Sequence, residues 1–117
     1  ELKIRKKGGR VFELRTYKAT PGHLPNLLER FRDHTLKLFD KHGMTNVVYW
    51  TEADKDDMLV YLLAHKSHEA GDASFKTFRD DPDWVKARKA SEEKAGGSLT
   101  VFVKSQYLVP TDFSPLK

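Results

Sequence analysis

Cysteine is absent from this 117-residue chain, which excludes disulfide bonds and thiolate metal sites. The compartment stays open, because proteins without cysteine occur in oxidising and reducing surroundings alike. No apolar run approaches the roughly 20 residues that span a bilayer, so we expect a soluble protein without a transmembrane segment. The chain opens on Glu1 instead of methionine, which we interpret as a processed or trimmed N-terminus.

The sequence also lacks the short motifs that mark common catalytic sites. It contains no P-loop, dinucleotide-binding fingerprint or nucleophile elbow. His65 and His68 lie three residues apart without a third ligand close in sequence, which is a weak metal signal. We therefore predict no metal site and no bound cofactor.

Positive charge is in excess only at the N-terminus. The sequence pI is about 9.3, but five of the 21 Lys and Arg residues fall within residues 1–10, beside one of the 17 acidic residues. From Val11 onward the chain contains 16 basic and 16 acidic residues, so their charges balance. We predict a basic, flexible extension over residues 1–10 and a neutral domain over residues 11–117. A neutral domain lacks the basic face that contact with phosphates requires, so we expect no nucleic-acid partner.

Hydrophobic spacing divides the domain into strands and helices. Residues 11–19 alternate as a strand, and apolar residues three and four apart from Leu24 to His42 predict a long helix that Gly43 ends. The remaining predicted elements are strands at 46–52 and 58–65, a helix from about 68 capped by Ser67, a break at Pro82 with a restart to about 94, and a strand at 99–109.

The order βαββαβ predicts an α+β, ferredoxin-like fold whose four-stranded antiparallel sheet carries both helices on one face. In the last three strands, apolar residues occupy both sets of alternating positions, which indicates that both faces of the sheet are buried. Two helices cover one face. We therefore expect a second copy to pack sheet against sheet, forming a homodimer with the architecture of a dimeric α/β barrel.

The first strand carries a polar row. Glu13, Arg15 and Tyr17 share one face, opposite Phe12 and Leu14, and we expect this face to point toward the partner's sheet. A buried Arg15 needs a partner. That partner is Glu13 in a structural ion pair, a residue of a neighbouring strand, or a ligand anion or carbonyl.

Other candidates lie on the first helix and the middle strands. His34 belongs to an apolar stripe and is expected to border a cleft between helix and sheet, as a hydrogen-bonded structural residue, a general base or an axial ligand of a haem-like cofactor. Trp50 and Tyr61 combine a large ring with a polar group and suit a core or a ligand pocket. The candidate ligand-binding residues are Glu13, Arg15, Tyr17, His34, Trp50 and Tyr61.

Several segments in order along the chain resemble the NIPSNAP family. They are residues 11–17, the turn at 42–44, residues 48–50, residues 81–84 and the tail at 110–115. The resemblance implies the dimeric α/β barrel fold. The family pattern often has glycine at the position of Val48 and tryptophan at that of Phe75, and both differences change the volume of a pocket.

The resemblance implies no particular reaction, and the residues predict no catalytic group. We expect a dimer of unassigned activity that binds a small molecule in the barrel or in the cleft between helices and sheet. The alternative is a cofactor-independent or haem-dependent enzyme of the monooxygenase type, as among antibiotic-synthesis monooxygenases that share the barrel.

Overall fold

The computed structural model describes residues 9–117, so most of the predicted extension lies outside the described residues. Arg10 is its last residue. Its guanidinium donates two hydrogen bonds to the carbonyl oxygen of Lys117 and lies 5.2 Å from the centre of the Phe12 ring. The described domain thus begins beside its own C-terminus.

The observed elements follow the predicted order. The strands are β1 (Val11–Ala19), β2 (Thr45–Thr51), β3 (Met58–His65) and β4 (Thr100–Leu108); the helices are α1 (Leu24–Arg30), α2 (Leu36–Lys41), α3 (His68–Asp80) and α4 (Pro82–Ala95). A π-helical segment, Phe31–Thr35, joins α1 to α2. Predicted and observed strand ends differ by at most one residue.

The sheet is antiparallel in the order β2-β3-β1-β4. This order confirms the ferredoxin-like prediction and places β1 in the interior of the sheet. A bulge at Val47 shifts the pairing of β2 with β3. All helices lie on one face, and their apolar side chains form a core with the inward residues of the sheet: Tyr17, Leu27, Phe31, Phe39, Leu59, Tyr61, Leu63, Phe75 and Phe78.

Local signals explain the helix boundaries. Ser67 Oγ accepts a hydrogen bond from the amide of Ala70 at 3.0 Å, as its predicted capping role requires. Asp81 ends α3 and caps α4, accepting from the amide of Asp83 at 2.8 Å, and Pro82 fills the first turn, where no amide is needed. Gly96 ends α4 in the left-handed conformation, with a φ of 84° that glycine adopts at little cost.

The helices leave the opposite face of the sheet uncovered in the single chain, and we call it the bare face, although Phe12 and Ala64 at one end of it are buried. Val48, Leu62 and Leu14 lie side by side across β2, β3 and β1 on this face. Trp50 and Phe102, also on it, expose 50% and 39% of their surfaces. None of the helices within residues 9–117 has the length and apolar character needed to cross a membrane.

Candidate functional site

The polar row of β1 points into the core beneath the helices. Tyr17 packs edge-on against Phe31 at 5.6 Å between ring centres, and the Arg15 guanidinium lies 4.3 Å from the centre of the Phe75 ring on α3. The prediction that this row faces a partner's sheet is therefore wrong. Phe12 and Leu14 lie on the opposite face instead, where Phe12 is buried beside the Arg10 guanidinium and Leu14 is partly exposed. The polar row can be buried because its charges and hydroxyl groups satisfy one another.

Arg15 is the centre of this network. Its Nη1 donates to Glu13 Oε2 at 2.8 Å, its Nε to Tyr61 Oη at 2.9 Å and its Nη2 to Tyr17 Oη at 3.2 Å. Burial alone would lower the pKa of Arg15, but Tyr61, Tyr17 and Glu13 hold it above its usual range. The ion pair with Glu13 considered from the sequence is present, and the guanidinium is permanently charged.

Glu13 is a buried carboxylate, only 2% exposed, with three side-chain donors. Besides Arg15, these are Ser105 Oγ at 2.6 Å and His65 Nε2 at 2.9 Å. Burial alone would raise the pKa of Glu13, but hydrogen bonds from His65, Ser105 and Arg15 lower it to about 2. Glu13 is therefore ionised at neutral pH and is a poor proton acceptor. His65 donates through Nε2, and its buried Nδ1 has no hydrogen-bond partner within residues 9–117.

Three tyrosines extend the network toward α1. Tyr61 is fully buried, shares a 2.9 Å hydrogen bond with Tyr17 and stacks on Tyr49 with 4.8 Å between ring centres. Burial raises the pKa of Tyr61 and of Tyr49 well above the usual range. These phenols stay protonated and act as hydrogen-bonding core residues.

The network opens into a cavity of about 500 Å³ between α3 and the β1–β4 edge. Arg15 and Glu13 reach it from below, and the remaining lining residues are His68, Asp72, Phe75, Arg79, Ser105 and Tyr107. The His68 imidazole stacks on the Tyr107 ring at 3.7 Å between centres. Burial raises the pKa of Tyr107, so its hydroxyl remains a donor at neutral pH. We call this space the α3–β4 cavity.

Gly71 of α3 makes room for one wall of the cavity. A Cβ atom on Gly71 would collide with Tyr107 Oη and would lie 2.9 Å from His65 Cδ2. Only a residue without a side chain allows α3 to approach both rings.

The structure separates the six predicted ligand-binding residues. Glu13, Arg15, Tyr17 and Tyr61 lie together, but Trp50 is half-exposed on the bare face. His34 is exposed between helices α2 and α4 and does not face the cleft between helix and sheet. This part of the prediction is wrong because the π-helical turn Phe31–Thr35 contains an extra residue, which brings Thr35 inward in place of His34.

Sequence reasoning missed most residues that line the α3–β4 cavity. Ser105 and Tyr107 alternate along β4 and pair with Arg15 and Glu13 of β1, so their shared face could have been inferred once β4 was placed beside β1. No pattern in the sequence indicated that Arg79 and Asp72 would lie beside Glu13 and Arg15. Among the described residues, no group of three or more His, Cys, Asp or Glu could hold a metal ion.

The topology and the helix-covered sheet define the class of the protein: it has the α+β protomer fold of the dimeric α/β barrel proteins. Residues 12–115 match the NIPSNAP family. The chain therefore belongs to the NIPSNAP family. No curated protein matches it at a significant level.

Solved structures with the same fold come from the family and from outside it. A NIPSNAP family protein of unknown function from Agrobacterium tumefaciens is 20% identical, with a TM-score of 0.82 over 97% of this chain and 99% of that one. An uncharacterized NIPSNAP-like domain protein from Burkholderia xenovorans is 17% identical, with a TM-score of 0.77 over 91% and 89%. SnoaB, a cofactor-independent oxygenase from Streptomyces nogalater, is 18% identical, with a TM-score of 0.63 over 91% and 97%. At these identities the likeness concerns the fold alone.

Proposed function

We propose that this domain binds a small molecule in the α3–β4 cavity and forms a homodimer through the bare face of the sheet. The observation that carries the first part is the charged network of Glu13 and Arg15, which is buried at one end and reaches an open cavity at the other. A core without a ligand-binding role needs no such opening.

The lining suggests the kind of ligand. Arg79 is exposed in the cavity wall and forms no salt bridge within the described part of the chain, so it can meet a carboxylate or a carbonyl oxygen. Phe75 and the stacked pair of His68 and Tyr107 provide flat surfaces for a ring or an apolar body. A small aromatic carboxylate combines both features.

Benzoate is a suitable probe of this cavity. In an NMR titration of the full chain, we expect saturable shifts of the His68 and Tyr107 ring signals. Arg79→Gln should weaken the binding by about 5-fold, the upper range for one exposed charge pair. Lys76→Gln removes the same charge from α3 outside the cavity lining and serves as the control. A titration without saturable ring shifts, or equal affinities for the two variants, would contradict the proposal.

The dimer is proposed from the apolar character of the bare face. Leu62 lies between Leu14 and Val48, and Trp50 and Phe102 expose large apolar areas beside them. A second copy packed sheet to sheet would bury these side chains. The structures of related folds belong to dimeric barrel proteins, which supports the same arrangement.

Light scattering after size exclusion tests this arrangement. We expect about twice the chain mass of 13.5 kDa at micromolar concentration. Leu62→Lys should yield monomers, because a charge would face the partner's apolar sheet. Val85→Lys places the same charge at a residue of α4 that is 53% exposed, and should remain dimeric. A wild-type mass near 13.5 kDa at all dilutions would disprove the barrel.

An oxygenase-type reaction is less well supported than binding. Glu13 is held ionised as a weak base, and Arg15 and Tyr107 are held protonated. The other lining side chains of types that transfer protons are the His68 imidazole and the Asp72 carboxylate. The likeness to SnoaB supplies the fold and no residue for this role.

A further inference from the structure

Arg30 is a buried cation at the end of α1. It is 7% exposed; its Nη1 donates to Ser91 Oγ on α4 at 3.2 Å, and its guanidinium lies 5.0 Å from the centre of the Trp84 ring. None of the salt bridges within residues 9–117 includes Arg30. Its buried Nε has no hydrogen-bond partner among the residues that the structure describes. One buried N–H of this guanidinium, that of Nε, is thus left unsatisfied, which is costly in a buried position.

Arg30 borders a small cavity of about 130 Å³ between α1 and α4. Ser91, His34 and Lys94 also line it, with Glu29, Asp33, Ala87 and Ala90. Its volume equals that of about four water molecules, which suits a single carboxylate or phosphate group.

The small cavity adjoins a larger groove of about 540 Å³ between α2 and α4. The two spaces share His34, Ala87 and Ala90, and we call them together the interhelical groove. The short alanine side chains leave this space open. Lys37, Lys41 and Lys86 border the larger part, opposed by Asp83. Over both parts the lining contains five Lys and Arg residues against three Asp and Glu residues.

We propose that the interhelical groove binds a small organic anion, with its carboxylate or phosphate group against Arg30, Ser91 and His34 and its body beside Lys37 and Lys86. Carboxylate and phosphate oxygens match the planar fork of N–H donors that a guanidinium presents. The site shares no lining residue with the α3–β4 cavity and stands independently of the function proposed above. Burial lowers the pKa of Arg30, an effect that Tyr17 and Glu92 offset only in part, and a bound anion would raise this pKa.

Thermal unfolding of the full chain with malonate or inorganic phosphate tests the site and separates the two anionic groups. At pH 7 we expect a saturable rise in Tm of about 4 °C or more with at least one of them, and no rise with sodium chloride at equal ionic strength. Arg30→Met should abolish the rise. Arg32→Met removes the same charge from an exposed position that lines neither part of the groove, and should keep it.

A second variant avoids any effect of Arg30 on folding. Ala90→Phe fills the groove from an exposed helix position and should leave the Tm without anion nearly unchanged while weakening anion binding by about 10-fold or more. The proposal is overturned if neither anion raises the wild-type Tm in a saturable way. It is also overturned if Arg30→Met and Ala90→Phe respond to the anions as the wild type does, since the effect would then be the general stabilisation that such salts give to folded proteins.

Discussion

Replacing Glu13 by glutamine should show how much the buried charge network contributes to stability. The carboxylate accepts from Arg15, His65 and Ser105, and its pKa falls from the usual 4.5 to about 2. A shift of this size corresponds to about 3 kcal/mol of folding free energy at neutral pH. For a domain of 117 residues this is a fall in Tm of about 12 °C.

The dependence on pH identifies the cause. Because the pKa of Glu13 is lower in the folded chain, its contribution is fully present above about pH 4.5 and is lost as the pH falls toward 2. Wild type and Glu13→Gln should therefore differ most at neutral pH and converge in acid. Chemical denaturation from pH 7 down to pH 2 measures this, at one protein concentration because association would also stabilise the fold.

A double-mutant cycle with Arg15→Met measures the coupling directly. Each single change leaves a buried charge without its main partner and should cost about 3–5 kcal/mol, whereas the double variant should cost clearly less than the sum. Glu52→Gln, which removes an exposed carboxylate 3.3 Å from Lys55, should change stability by less than about 1 kcal/mol. Our reasoning is refuted if Glu13→Gln behaves like Glu52→Gln, or if the two buried changes are additive.

Three further changes test other parts of the structure. Gly71→Ala should destabilise the domain by about 1–3 kcal/mol in denaturant unfolding, because the new Cβ collides with Tyr107 Oη. Adding Tyr107→Phe should recover part of this loss. A neutral effect of Gly71→Ala would contradict the close packing of α3. Asp81→Ala removes the cap of α4 and the hydrogen-bond partner of Lys41 and His42. We therefore expect calorimetry to show a Tm lower by roughly 4 °C. An unchanged Tm would count against this capping role. A chain beginning at Val11 should not bind duplex DNA at physiological salt, since its charges balance, and tight, salt-resistant binding in a mobility-shift assay would oppose this.

Element order and fold were predictable because they depend on local spacing. The alternation over residues 11–19 and the two apolar runs at 46–52 and 58–65 matched the observed strands to within one residue. The cap at Ser67 and the break at Pro82 follow from backbone hydrogen bonding, which nearby residues control. The ferredoxin-like order then placed β1 inside the sheet.

Which face of β1 the helices cover was not predictable. The apolar side chains of Phe12 and Leu14 suggested that their face of β1 packs against the helices. The charges of Glu13 and Arg15 suggested that the opposite face of β1 points away from the helices. Burial of the charged row became favourable only through residues distant in sequence, namely Tyr61, His65 and Ser105, which complete its hydrogen bonds. A partner's sheet, as we propose, would in turn cover Leu14, whereas Phe12 is already buried within the chain.

The sequence by itself determined the elements, their order, the family and a neutral domain, because these depend on composition and on spacing between near neighbours. Only the tertiary structure decided which side chains line the two candidate binding sites. Because of a single π-helical turn, His34 lies in an outer groove and not on the inner face of the helix. Because β4 pairs with β1, Ser105 and Tyr107 lie beside the buried Glu13. Such positions depend on long-range register and on mutual satisfaction of buried polar groups, and no local pattern encodes either of them.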